Sequence, residues 1–94
     1  MNISILSLLK IIDKVNIIDI RSIEKYNDNH IQGSKNIPML LLLKDYSKYL
    51  EFNIPYYIYC QRGINSFRVC QTLMKKGYHV INVLGGYEEW LLQK

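Results

Sequence analysis

Alanine is absent from the 94 residues, and there are only two cysteines, two prolines and one tryptophan. The two thiols, Cys60 and Cys70, are too few for a secreted disulfide scaffold, which usually carries four or more cysteines. They match no common zinc spacing either, because His30 and His79 lie remote from both in the sequence. No long apolar run is present. "IPMLLLL", Ile37–Leu43, is far too short to span a bilayer. "MNISILSLLKIIDK" lacks the basic start and small-residue cleavage site of a signal peptide, and Lys10 interrupts its apolar stretch. The expectation is a reduced, cytoplasmic protein without a membrane partner, in which a thiol is more useful chemically than as a cross-link. The net charge is +4, but the lysines are scattered and form no basic block. That argues against nucleic acid as a partner and for a small anion drawn to a local basic site. Repeats, linkers and low-complexity segments are missing too. The lack of alanine, beside abundant Ile, Asn, Lys and Tyr, reads as coding bias and not as function.

What remains fits one domain, residues 1–94. Hydrophobic residues make up 49% and charged residues 21%, an ordinary globular balance. Ser4 can cap a helix over Ile5–Ile12. "VNIIDI", Val15–Ile20, is a β-branched run suited to a strand covered on both sides. Ser22 resembles the cap of a short helix, "IEKYND". "KNIP" suggests a brief strand, and "MLLLLKDYSKYL" a helix broken near Asp45. "PYYIYC", Pro55–Cys60, is a second buried strand. "SFRVCQTLMKK" then forms an amphipathic helix from Ser66, with Phe67, Cys70, Leu73 and Met74 on its core face, and Gly77 takes the left-handed position after its end. "HVINVL" is a third strand, and "GGYEEWLLQK" turns into a terminal helix. Strands alternating with helices predict a parallel sheet with helices on both faces.

In such sheets ligands bind beyond the carboxyl ends of the strands. Cys60 stands at one such end, followed by the loop "CQRGINS". Gly63 allows a tight turn that converges backbone N–H groups on one point. The helix that follows aims its positive end there, and Arg62 adds a permanent cation. The cradle suits a thiolate, a persulfide or an anionic substrate. Cys70 belongs to packing. The helix between the two cysteines holds them too far apart for a bridge. A cysteine phosphatase would need an arginine six residues after the cysteine. Ser66 occupies that position, and Arg68 lies two residues further on, so the loop suits a smaller sulfur group.

Three segments together resemble a single-domain rhodanese: "IIDIRSIEKYNDNHIQGSKNIP", "YIYCQRGINS" and "KGYHVINVLGGYEEW". They carry D-x-R, H-I-x-G-x-x-N-I-P and G-G-x-x-x-W, in order and across nearly the whole chain. The resemblance implies an α/β fold of rhodanese type with a central parallel five-stranded sheet. It implies sulfur transfer through a persulfide on Cys60, with Gln61, Arg62, Gly63, Ile64, Asn65 and Ser66 as the substrate-binding loop. Asp19 and Arg21 match the pair that lies near that loop in the family, and a structural ion pair is their other reading. His30 is expected to position its own turn, and Tyr87 and Trp90 to pack the terminal helix. No metal or cofactor is implied. Many single-domain members carry Arg where this chain has Asn65, which leaves Arg62 as the loop cation. The expected partners are an anionic or persulfide sulfur donor and a thiol or protein acceptor. The alternatives are a sulfur-carrier or sensor module that turns over poorly alone, and a phosphatase or arsenate reductase.

Overall fold

The computed structural model describes all 94 residues. The elements run β1 (Asn2–Ile3), α1 (Ile5–Leu9), a 3-10 turn (Ile12–Lys14), β2 (Asn16–Asp19), α2 (Ile23–Asp28), β3 (Ser34–Asn36), α3 (Met39–Lys44), α4 (Tyr46–Tyr49), β4 (Tyr56–Tyr59), α5 (Ile64–Lys75), β5 (Val80–Val83) and α6 (Gly86–Gln93). One sheet of five strands has the order β1-β5-β4-β2-β3, and every pairing is parallel.

The central strands are apolar because both faces are covered. Alternate side chains feed different cores. Ile18, Ile58 and Val80 enter one, with Leu42, Val69, Cys70 and Leu73 from α3 and α5. Ile17, Tyr59 and Val83 enter the other, with Ile5, Leu8, Tyr87 and Trp90 from α1 and α6. Tyr87 and Trp90 thus pack α6 against the sheet, and the sheet carries helices on both faces, as expected.

Several boundaries differ from the sequence reading. The first helix stops at Leu9, short of Ile12, and its end passes into the 3-10 turn. β1 was not foreseen, being only two residues long at the sheet edge. The helix after Cys60 begins at Ile64 instead of Ser66, because Gly63 takes φ 93 and closes the loop earlier. That start rotates the face: Ser66, Val69, Cys70 and Leu73 are buried, at the i, i+3, i+4, i+7 spacing of one helical stripe. Phe67 and Met74, expected in the core, are 44% and 47% exposed. The break at Asp45 falls as expected, between α3 and α4. Gly77 has φ 97 just past α5, also as expected.

Candidate active site

β4 is the middle strand of the sheet and ends at Tyr59, so Cys60 opens the loop at its carboxyl edge. Three groups converge on its Sγ. The Gly63 N–H donates at 3.1 Å and the Ser66 N–H at 3.3 Å. The thiol itself donates to Ser66 Oγ at 3.3 Å. Gly63 is at the left-handed φ that turns its N–H inward, and a Cβ there would meet the Gly85 nitrogen at 2.9 Å. Two N–H groups aimed at one sulfur make a site suited to negative charge.

Cys60 is 5% exposed, yet it borders two adjoining hollows of about 250 and 280 Å³. Lys25, Gln61 and Asn65 line both. Arg62 and Ile64 line the first; Ile20, Arg21, Ser22 and Met39 line the second. No Asp or Glu is among these residues. Lys25 and Arg62 are exposed and form no ion pair; the single ion pair of the protein joins Arg21 to Asp19. Lys25 was missed in the sequence, where it is one of many scattered lysines. Its place beside Cys60 goes with α2 starting just past the carboxyl end of β2, the strand next to β4.

Asp19 and Arg21 form a buried clasp. Arg21 Nη2 meets Asp19 Oδ2 at 2.8 Å, and its Nε reaches both carboxylate oxygens at 3.1 Å. The Tyr59 hydroxyl donates to Asp19 Oδ2 at 2.6 Å, and Arg21 Nη2 also donates to the Asn29 carbonyl at 2.7 Å. Burial alone would lower the Arg21 guanidinium, but the Asp19 carboxylate overrides it and the net shift is upward. Tyr59 is pushed well above its ordinary range, first by burial and then by its bond to Asp19. The clasp touches the loop through Gln61, whose Oε1 accepts from Arg21 Nη1 at 3.4 Å. The pair is thus a buried ion pair that touches the loop through Gln61.

The loop is also held from behind. The Tyr87 N–H donates to the Cys60 carbonyl at 2.9 Å, and the Glu88 N–H to that of Gln61 at 3.0 Å. The Gly85–Gly86 turn thus grips the loop's back. His30 stacks on Tyr26 at 3.8 Å, and its Nδ1 lies 2.8 Å from the Tyr26 carbonyl, so it positions its own turn. Cys70 is buried in the core, and burial pushes its thiol up to about 12. Both cysteines are free. Arg68 is exposed on α5 and does not line either hollow.

A parallel α/β sheet with a cysteine cradled at the end of its middle strand defines a class of α/β domains with a thiol site at their strand ends. Within that class, the chain belongs to the rhodanese-like domain family, whose model matches residues 4–93. It is 37% identical over 78 residues to Uncharacterized protein YqhL of Bacillus subtilis, covering 82% of this chain and 61% of that protein. The match therefore spans less than two thirds of that relative. It is 33% identical over 75 residues to Thiosulfate sulfurtransferase GlpE of Coxiella burnetii, covering 79% of this chain and 69% of that protein. The crystal structure of a rhodanese-like domain protein from Staphylococcus aureus matches with a TM-score of 0.87 at 31% identity, over 96% of this chain and 91% of that one. Proteins named thiosulfate sulfurtransferase and putative sulfur carrier protein are among its relatives. No helix is long and apolar enough to cross a membrane.

Proposed function

We propose that this chain is a cytoplasmic sulfurtransferase, working as one domain, that carries a sulfane sulfur as a persulfide on Cys60. The observation that carries the reading is the convergence of the Gly63 N–H, the Ser66 N–H and the Ser66 hydroxyl on Cys60 Sγ, beside hollows lined by two unpaired cations and no carboxylate. With thiosulfate as donor, the Cys60 thiolate attacks the outer sulfur. The donor's S–S bond breaks, its electron pair leaves with sulfite, and Cys60–S–S⁻ remains. An acceptor thiolate then attacks the outer sulfur of the persulfide and returns Cys60 as thiolate. Lys25 and Arg62 supply the positive field for the anionic donor and for the departing sulfite. The loop N–H groups hold the sulfur anion through both steps.

The test is intact mass after exposure to thiosulfate, polysulfide and a small persulfide in parallel, together with steady-state turnover to a thiol acceptor. One added sulfur located on Cys60, with turnover, supports the enzyme. Stoichiometric uptake without turnover would replace it with a carrier module. Hydrolysis of an aryl phosphate with no sulfur uptake would overturn both.

A further inference from the structure

Beneath Cys60 a line of polar side chains crosses the sheet to its edge. Cys60 Sγ donates to Ser66 Oγ at 3.3 Å, and the Ser66 hydroxyl donates to Asn82 Oδ1 at 2.5 Å. Asn82 Nδ2 donates to Asn2 Oδ1 at 3.3 Å. Asn82 sits in β5 directly opposite Asn2 of β1. Ser66 is 0% and Asn82 2% exposed, so each lost partner would leave a polar group stranded away from water. A fully buried amide in an otherwise apolar strand is a costly choice for packing alone.

The direction of this line depends on the proton of Cys60. A hydroxyl donates only once. While the sulfur holds its proton, Ser66 accepts from it and gives its own proton to Asn82. A thiolate has no proton to give, and needs donors. If Ser66 turned its O–H to the sulfur, Asn82 Oδ1 would lose its partner. A half-turn of the Asn82 amide restores the balance: Nδ2 then donates to Ser66 Oγ, and Oδ1 faces Asn2. Asn2 makes the same half-turn and donates in its place. Every bond survives with its direction reversed, because an amide offers an acceptor and a donor at nearly the same two points.

We propose that Asn82 is a positioning residue that sets which way the Ser66 hydroxyl points, so that the line Cys60–Ser66–Asn82–Asn2 holds the thiol in one direction and the thiolate in the other. It rests on the sulfurtransferase reading only for the identity of the reacting thiol. On ionisation the S–H bond breaks, its electron pair stays on sulfur, and the proton leaves to solvent through the hollows. Ser66 keeps its proton, and no atom passes along the line. Other charged or titratable groups face Cys60. Lys25 of α2 and Arg62 of the loop border it, with Arg21, paired to Asp19, next to them. Glu88 of α6 acts through Gln61. Cys70 of α5 is buried in the same apolar core as Cys60.

The test follows two signals from about pH 5 to about pH 9: alkylation of Cys60 by iodoacetamide, and the side-chain amide resonances of Asn82. In the unaltered chain the Asn82 resonances should move with the same pH dependence as alkylation. They should stay fixed in Cys60→Ser. In Ser66→Ala they should lose that movement, and alkylation near neutral pH should slow about tenfold. Asn82→Asp, an acceptor only once ionised, should also slow alkylation about tenfold, and the slowing should largely vanish when Ser66→Ala is added. Asn82 resonances that ignore pH, or that move equally in Ser66→Ala, would overturn the proposal. So would an Asn82→Asp slowing that persists in full without the hydroxyl, which would mark a through-space charge effect. If Asn82→Asp does not fold, the resonances of Ser66→Ala and Cys60→Ser decide alone. None of these readouts uses a sulfur donor. A chain that takes up no sulfur while its Asn82 resonances follow Cys60 would reject the sulfurtransferase reading and leave the relay standing.

Discussion

A Cβ placed on Gly86 would lie 2.3 Å from the carbonyl oxygen of Cys60. Gly86 also has φ 58, in the left-handed region. Two independent reasons thus require glycine where α6 meets the loop. Gly86→Ala should lose roughly 2–4 kcal/mol of stability and most sulfur transfer, because main chain has to move. Gly33 makes the contrast. It has φ 85 but nothing within 4 Å of a built Cβ. Gly33→Ala should lose only about 1–2 kcal/mol. Urea unfolding of both variants checks this; equal losses would show that close contact with Cys60 does not matter.

Cys60 and Cys70 should separate cleanly by chemistry. Cys60→Ser should abolish sulfur uptake, since a serine hydroxyl cannot form a persulfide. Cys70→Ala should leave uptake largely intact and cost about 1 kcal/mol in stability through a small core truncation. Mass-mapped alkylation at pH near 8 should label Cys60 and spare Cys70, whose thiol is held up to about 12.

Stability should fall on the alkaline side. Burial raises Cys70 from its ordinary 9.0 to about 12. The folded state therefore keeps a proton that the unfolded chain releases first. That contribution is complete below about pH 9 and declines as pH rises toward about 12. Tyr59, raised from 10.0 by burial and by Asp19, adds to the decline at higher pH. Urea midpoints measured at several pH values should be flat near neutrality and drop above about pH 9. Cys70→Ala should start lower and show a shallower first part of that drop. A decline of unchanged steepness in that variant would assign it to other groups.

Donor charge should be felt by Lys25 as well as Arg62. Lys25→Met and Arg62→Ala should each lower kcat/KM for thiosulfate about three- to tenfold, a range that allows for solvent screening of exposed cations. Iodoacetate and iodoacetamide form a matched pair of anionic and neutral probes of the same thiol. Each variant should slow the anionic probe more than the neutral one, and added salt should shrink the difference. Equal slowing of both probes would mean that the cations act on the thiol and not on its partner.

Much of the architecture is legible in the sequence, because the β-branched and aromatic runs "VNIIDI", "YYIY" and "HVINV" suit covered strands. Cys60 was readable too, since a strand, a glycine loop and a helix fix where its sulfur lies. The misses have local causes. The face of α5 was read from Phe67 and Met74 because both are large and apolar. The Gly63 turn starts the helix earlier and puts Ser66 inside instead. Ser66 is expected at the helix start and in the loop, and its hydroxyl serves Cys60 and Asn82. Asn82 itself drew no notice within an apolar strand, although a lone amide there was the available signal. Lys25 carried no local signal at all; it meets the thiol because α2 starts just past the end of β2, beside β4.

In the loop from Cys60 to Ser66, the groups that meet the sulfur are main-chain N–H groups and one hydroxyl, while Arg62, Ile64 and Asn65 face solvent. The sulfur is therefore held mostly by main chain, while the hollow beside it is shaped by side chains. Positions 62, 64 and 65 line the hollow in front of the sulfur, while main chain and Ser66 hold the sulfur itself. A library randomised at these three positions would sample new donors against constant chemistry, and the domain could change clients in evolution without first losing its trade.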